Sequence, residues 1–221
     1  MSSGNGAAVT ATIRPAAFED AGFIARTILA AQRGHRPRGW FDFTLDRPDE
    51  QCLAFVERLA TADKPTWWHV SQFLIAEVEG APAAALCAMP AAGTVETARL
   101  AIKEVARKTG LDASELAAIY RRGAYVANCW VQGGDGDWLV EHVATLSAHR
   151  GHGLVQALIA HALAAGKAAG FARASITFLI GNAPAERCYA KAGFAFAEEK
   201  LDPAFEALTG APGFRRFERP I

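Results

Sequence analysis

Residues 138–170 decide the fold of this chain, and they read WLVEHVATLSAHRGHGLVQALIAHALAAGKAAG. The segment from Trp138 to Leu146 is mostly apolar on both faces, which predicts an interior strand covered on both sides. A tight turn at 150–153 (RGHG) follows, since glycine accepts the positive φ that such a turn needs. Apolar residues at helical spacing then predict a helix that starts at this turn and stops at Gly170.

The first turn of that helix predicts an anion site. Its backbone N–H groups have no helical acceptor and lie at the positive end of the helix dipole. Phosphate is the usual ligand of such a helix start. The sequence lacks a GxxxxGK[ST] loop, and the turn lacks the third glycine of a dinucleotide fingerprint. The pattern therefore indicates either a phosphate ligand of another kind or a turn without a ligand.

Length, composition and charge exclude several classes of function. The chain has 221 residues, 51% of them hydrophobic, which suits one well-packed domain. Lys+Arg and Asp+Glu both number 23, so we expect no broad binding to nucleic acid or membranes. We find no membrane span and no secretory signal, and expect a cytoplasmic protein. The four cysteines lack metal-site spacing, so we expect free thiols and no metal.

The pattern along the chain predicts a flexible tail at 1–8 and a single α/β domain at 9–221, built around a mixed sheet flanked by helices. The predicted elements are strand 9–14, helices 16–33 and 48–62, a hairpin of 72–78 and 83–88 with its turn at 79–82, helices 95–108 and 112–123, strand 138–146, a helix from 154, strand 172–180, a helix from 182 to 193, and strands 194–200 and 213–220. Residues 91–132 form a helical insertion between strands 3 and 4.

Two motifs, in order along the chain, resemble those of the GNAT superfamily of N-acetyltransferases. The loop 150–155 is similar to the R/Q-x-x-G-x-G/A acyl-CoA loop, although Val155 stands where a small residue is usual. The second motif is similar to N-x-x-A-x-x-x-Y-x-K-x-G-F, and its matching residues are Asn182, Ala185, Tyr189, Lys191, Gly193 and Phe194. The resemblance covers residues 9–200 and implies a GNAT-type acyl-CoA N-acyltransferase fold.

The resemblance implies acetyl-CoA as the cofactor, and direct transfer of its acetyl group to a primary amine of a small molecule or peptide. The fourth strand would bind the pantetheine arm, and the loop would bind the pyrophosphate. The expected cofactor-binding residues are Val143, Ala144, Thr145, Arg150, Gly151, His152, Gly153, Leu154, Val155, Gln156 and Asn182. The alternative is a non-catalytic acyl-CoA-binding regulatory module, and a homodimer is left open.

Glu141 and Tyr189 are the expected catalytic residues. Strand alternation puts Glu141 on the face of Val143 and Thr145, which makes it the first candidate for the base. His142 would face the opposite side and is a second candidate, and water is a third. An ordinary glutamate pKa lies roughly 6 units below that of an alkylammonium, so burial, a water relay or a perturbed amine is required. The resemblance makes Tyr189 the phenol that protonates the leaving thiolate.

The sequence leaves the roles of several other residues open. The aromatic residues Trp67, Trp68, Tyr125 and Trp130 line an acceptor pocket or only pack the insertion. The basic loop 33–38 is a solvated connector or contacts a phosphorylated ligand. Thr177 stands where some family members carry a glutamate base. Cys188 is expected in the core, because helix neighbours point about 100° apart and only Tyr189 would then face the thioester.

Overall fold

The computed structural model describes residues 11–221, so the predicted tail and the start of the first predicted strand lie outside the described residues. The strands are β1 Ala11–Pro15, β2 Phe73–Val78, β3 Ala81–Pro90, β4 Trp138–Thr145, β5 Arg173–Leu179, β6 Ala195–Leu201 and β7 Gly213–Pro220. They form one sheet in the order β1-β2-β3-β4-β5-β7-β6. Only β4 and β5 pair in parallel among the described strands. The predicted α/β fold with a mixed central sheet is confirmed.

The helices of the described residues are α1 Ala21–Arg33, α2 Trp40–Leu45, α3 Asp49–Ala60, α4 Thr94–Lys108, α5 Ala113–Gly123, α6 Leu154–Ala168, α7 Ala183–Lys191 and α8 Pro203–Thr209. The helical insertion between strands 3 and 4 is confirmed, because α4 and α5 lie between β3 and β4. Asp112 and Glu115 form the predicted capping box at the start of α5. None of the helices within residues 11–221 has the length and apolar character that a membrane crossing requires.

The sheet separates two hydrophobic cores. On one side, α1, α3 and α4 pack with Phe73, Ile75 and Cys87, and we call this the α1 face. On the other side, α6 and α7 pack with Val140 and Ile176, and we call this the α6 face. Helices on both faces account for the apolar character of the central strands.

β4 and β5 diverge near the middle of the sheet. Their pairing runs only from Trp138 to Val140 on β4, opposite Ala174 to Ile176 on β5. β4 then continues to Thr145 with β3 as its one strand neighbour. The separation leaves an opening between the two strands, called here the strand gap.

A β-bulge in β4 overturns the predicted alternation. Glu141 pairs with Cys87 and Ala144 with Ala85, so His142 and Val143 together oppose one residue of β3. His142 has a φ of 49°, which bends the strand locally. Cys87 belongs to the α1-face core and its partner Glu141 lies on that side, whereas Val143 packs against the α6-face core.

The ring of His142 stacks on Phe73 of the α1 face, with the centroids 6.3 Å apart. Glu141 and His142 therefore lie on the same side of the sheet. The prediction that Glu141 shares a face with Val143 and Thr145, and that His142 faces the opposite side, is wrong. The physical reason is the extra residue of the bulge, which shifts every later side chain of β4 to the other face.

The remaining differences from the predicted elements are local. The hairpin turn is Glu79-Gly80, with φ values of 53° and 78°, so Ala81 and Pro82 belong to β3 rather than to the turn. Two positive φ angles are typical of the two-residue turn that joins twisted antiparallel strands. The short helices α2 and α8 were not predicted.

Candidate active site

One cavity of about 780 Å³ passes through the strand gap and is lined by residues from both faces of the sheet. From the α6 face it is lined by the turn before α6, the first turn of α6, and α7. From the α1 face it is lined by the end of α1 and by Trp130 and Phe214. A cavity of this size suits a cofactor together with a small second ligand.

The α6 end of the cavity contains a run of unpaired amides. Among residues 11–221, the backbone N–H groups from Gly151 to Gln156 donate to no protein acceptor, and we call this segment the amide loop. Gly151 and Gly153 have φ values of 83° and 78°, and a Cβ at either position would meet no atom within 4 Å. The requirement for glycine is therefore conformational, and the amides without a protein acceptor suit an anion.

Basic side chains surround the amide loop. His149, Arg150, Arg187 and Lys191 line this end of the cavity. Arg150 Nε donates a long hydrogen bond of 3.4 Å to the Thr145 oxygen, which holds its guanidinium near the end of β4. The charges of Arg150, Arg187 and Lys191 add to the helix dipole, so this end favours a polyanionic group.

The exposed edge of β4 provides hydrogen-bonding groups along the strand gap. The N–H of Leu146 donates to the Ala83 oxygen on β3 at 2.9 Å. Backbone groups of successive strand residues point to opposite neighbours, so those of Thr145 point toward the gap. The same alternation directs the backbone of Val143 there. An extended chain with amide groups fits between β4 and β5 in the manner of an added strand.

Burial shifts the pKa values of Glu141 and His142 in opposite directions. Burial raises the pKa of Glu141 to about 8. Burial lowers the pKa of His142 to about 3, and its Nε2 has no hydrogen-bond partner among the described residues. Both side chains line the cavity. Because a base works best with a pKa near the working pH, the raised pKa of Glu141 suits a proton acceptor better than the lowered pKa of His142.

Tyr189 lies on α7, where it lines the cavity and is 7% exposed. Its ring contacts Phe178 edge-on, with the centroids 5.4 Å apart. Burial raises the pKa of Tyr189 above its ordinary value, and the charges of Cys188 and Glu141 act in the same direction. The phenol therefore stays protonated at neutral pH and is available as a donor.

Cys188 packs against the α6-face core, as expected, and it also lines the cavity. Gln156 Nε2 donates to the Cys188 oxygen at 2.8 Å and lies 3.3 Å from its Sγ. Burial raises the pKa of the Cys188 thiol. A thiol that stays protonated is a weak nucleophile, so the chemistry of this residue does not favour an acyl-enzyme.

The α1 end of the cavity is walled by the insertion. Trp130 contacts Phe214 edge-on, with the centroids 5.1 Å apart. Thr177 Oγ1 donates to the Val131 oxygen at 3.0 Å, which fixes the chain next to Trp130 against β5. The hydroxyl is used for this anchor and cannot replace a glutamate base.

The four aromatic residues considered for an acceptor pocket have different surroundings. Only Trp130 lines the large cavity. Tyr125 stacks on Phe205 beside a separate small pocket. Trp67 and Trp68 line neither and pack against the α1-face core.

The arginines of the basic loop 33–38 hold the loop in place. Arg33 binds Asp42 and Asp49, and Arg38 donates to the main-chain oxygen of Asp42. Gly34 and His35 of this loop line the cavity, and so does Gln32, which was not predicted. A cavity across a sheet joins residues more than 100 positions apart, and no local pattern signals that.

The cavity brings together most of the residues that the sequence pointed to. Glu141, Tyr189 and all of the expected cofactor-binding residues except His152 line it. Asn182 both lines the cavity and caps α7, accepting from the Ala185 N–H at 3.4 Å. The four cysteines are free, and residues 11–221 contain no cluster that could hold a metal ion.

Residues 38–194 match the sequence profile of the acetyltransferase (GNAT) family. An N-acetyltransferase from Staphylococcus aureus Mu50 has a similar structure, with a TM-score of 0.67 and 19% identity, covering 94% of this chain and 100% of that chain. A Drosophila melanogaster polyamine N-acetyltransferase, which catalyses the formation of N-acetylagmatine, has a TM-score of 0.58 and 14% identity. The match covers 96% of this chain and 100% of that chain. An agmatine N-acetyltransferase has a TM-score of 0.58 and 15% identity, and the match covers 96% of this chain and 99% of that chain. No curated protein matches the sequence.

Proposed function

The chain belongs to the acetyltransferase (GNAT) family, and from that premise we propose that it transfers the acetyl group of acetyl-CoA directly to a primary amine. The observation that carries this proposal is the amide loop, whose N–H groups have no protein acceptor among residues 11–221 and open into a cavity through the sheet. The acceptor is the amine of a small molecule or peptide.

The residues present fit coenzyme A. Its pyrophosphate matches the free amides of residues 151–156 and the guanidinium of Arg150, because both are donors at the positive end of α6. Its pantetheine amides match the backbone of Val143 and Thr145 along the strand gap. When bound there, acetyl-CoA supplies an activated thioester carbonyl to the centre of the cavity.

Glu141 accepts the proton that the incoming ammonium must lose before it can attack. An alkylammonium has a pKa of about 10.4, so an ordinary glutamate would be too weak by about 6 units. Burial, which raises the pKa of Glu141 to about 8, narrows the difference to about 2 units, or roughly 3 kcal/mol. This cost of the proton transfer is small compared with the barrier lowering that enzymes typically achieve.

Tyr189 holds a proton at its phenol oxygen for the leaving thiolate. The buried phenol is protonated at neutral pH, and the donor lies on the α6-face side of the strand gap. Acceptance by Glu141 and donation by Tyr189 occur on opposite sides of the sheet, which separates the two proton transfers. The reaction then needs no covalent intermediate on Cys188.

The test is an assay of free thiol release from acetyl-CoA by the purified protein, with a panel of primary amines. Release that depends on the amine, with the N-acetylated product identified by mass spectrometry, would support transfer. Thermal stabilisation by acetyl-CoA without thiol release for any amine would contradict transfer and indicate a regulatory module. The absence of both effects would remove the cofactor assignment as well.

A further inference from the structure

The α1 end of the cavity, which is the acceptor end in the proposed function, combines an apolar and aromatic wall with the polar side chains of Gln32 and His35. Its wall consists of Trp130 from the insertion and Phe214 from β7, with Ala30 and Ala31 of α1 opposite the strand gap. Leu179 lines the same region and is 9% exposed. Such a surface contacts the body of an acceptor through burial of apolar area.

Carboxylates are scarce in this wall. Glu141 is the single acidic residue among the described residues that line the cavity. Asp42 of α2 and Asp49 at the start of α3 lie nearby, and both are paired with Arg33. No carboxylate of the described lining therefore remains for a second positive charge once Glu141 serves the reacting amine.

Positive groups lie beyond the acceptor end. Arg36 and Arg38 line a small pocket that shares Gln32 and Phe214 with the large cavity. Arg36 Nε donates to the main-chain oxygen of Thr209 at 2.9 Å, a neutral partner that leaves the charge of the guanidinium in place. Arg38 is paired with Asp46 at 3.5 Å, so the repulsion of a second ammonium of a long acceptor would come from Arg36.

We propose, resting on the proposed function, that the acceptor is an amine with one cationic centre on an apolar body, and that the acceptor end discriminates against diamines and polyamines. A second ammonium placed between Trp130 and Phe214 would lose its hydration without gaining a carboxylate. The wall can offer a cation–π contact in return, but this is weaker than the charge-assisted hydrogen bonds that a carboxylate supplies.

The experiment compares hexylamine with 1,6-diaminohexane, which have equal chain length and differ in the second amine. We expect kcat/KM for hexylamine to exceed that for the diamine by about tenfold or more, the ratio that about 1.4 kcal/mol produces. An equal or higher value for the diamine overturns this inference, as does failure of both amines. Calorimetry with coenzyme A separates the two claims, since loss of cofactor binding removes the proposed function itself.

The variant Gln32→Glu tests the charge argument with almost no change of shape. Gln32 lines the cavity, so the substitution adds a carboxylate at the acceptor end, and the wild type is its neutral counterpart. We expect the diamine to hexylamine ratio of kcat/KM to rise by about tenfold. Gln51→Glu, at an exposed position of α3 that lines neither pocket, controls for net charge and should leave the ratio unchanged.

A second pair of variants, Trp130→Glu and Trp130→Gln, tests the charge argument at a second position of the wall. The two replacements have the same size and differ in charge, so any effect of removing the indole is common to both. We expect a higher diamine to hexylamine ratio in Trp130→Glu than in Trp130→Gln, with equal affinity for coenzyme A. Equal ratios in both pairs of proteins would overturn the inference.

Discussion

Thr177 on β5 is joined to Val131 of the insertion by a hydrogen bond of 3.0 Å from its hydroxyl to the main-chain oxygen. The bond lies beside Trp130, so it sets the distance between the insertion and the strand gap. A chain segment that is only tethered by side-chain packing would move more freely than one fixed to a strand. The contact therefore links the helical insertion to the acceptor end of the cavity.

The variant Thr177→Val removes this hydrogen bond and keeps the shape of the side chain. A hydrogen bond of this kind contributes about 1 kcal/mol, so we expect KM for the acceptor to rise about fivefold. The affinity for coenzyme A should be unchanged, because the amide loop lies on the other side of the sheet. Thr61→Val, which removes an exposed hydroxyl contact at the end of α3, is the control. An unchanged KM would separate Thr177 from acceptor binding.

The variant Gly153→Ala tests the amide loop. Gly153 has a φ of 78°, and an added Cβ would meet no atom within 4 Å, so alanine causes backbone strain and no clash. The strain is about 1–2 kcal/mol, and we expect the Kd for acetyl-CoA to rise about tenfold as the amides reorient. The measurement is calorimetric titration.

Gly170→Ala is the matched control for Gly153→Ala. Gly170 lies at the other end of α6, with a φ of 87° and the same open surroundings. Both variants should lose similar stability, but only Gly153→Ala should lose cofactor affinity. Equal Kd values in the two variants would show that the conformation of the loop does not matter for binding.

Glu141→Gln should remove one limb of the pH–rate profile. The carboxylate form is the active base, so kcat/KM of the wild type should rise with pH through about 8, the pKa of Glu141. The variant should lack this limb and be slower by about 10²–10⁴-fold. A profile with the same limb in both proteins would assign the base to another group.

Stability gives an independent check of the buried carboxyl. The pKa of Glu141 is raised from 4.5 to about 8 in the folded protein, so between these values the folded state binds more protons than the unfolded state. The contribution of Glu141 to the free energy of unfolding therefore falls by about 1.4 kcal/mol per pH unit as the pH rises. Denaturant titrations at pH 5 to 8 should show Glu141→Gln becoming steadily more stable relative to the wild type. A constant difference would contradict the raised pKa.

Tyr189→Phe should slow turnover and leave cofactor binding nearly intact. The phenylalanine keeps the edge contact with Phe178 and removes the proton donor, so we expect kcat to fall about 10²-fold. Tyr120→Phe, which removes the hydroxyl that donates to the Arg99 oxygen on the insertion, is the control and should keep its kcat. Equal rates for the wild type and Tyr189→Phe would exclude the phenol from the reaction.

The sequence predicted the elements that form the α6 end of the cavity, because their signals are local. Gly34, Asp112 and Asn182 each mark a helix end through a conformational or capping requirement. The amide loop was predicted from its glycines and the apolar stripe that follows. Helices α2 and α8 have six and seven residues, too few for a periodic pattern to be recognised.

The acceptor side of the site could not be predicted from local patterns. The bulge at His142 places a non-glycine residue at positive φ without any sequence signal, so alternation assigned His142 and Val143 to the wrong faces relative to Glu141. Gln32 reaches the cavity only because α1 packs across the sheet next to β4. Such contacts depend on tertiary packing, whereas each motif at the α6 end of the cavity is contiguous in sequence.

The most direct measurement is a pair of calorimetric titrations, with coenzyme A and with pantetheine, which has the same thiol arm and lacks the pyrophosphate and the adenosine nucleotide. If the amide loop binds the pyrophosphate, coenzyme A should bind at one site per chain and about 100-fold more tightly, a difference of about 2.8 kcal/mol. Equal affinities, or no heat of binding with coenzyme A, would contradict the account.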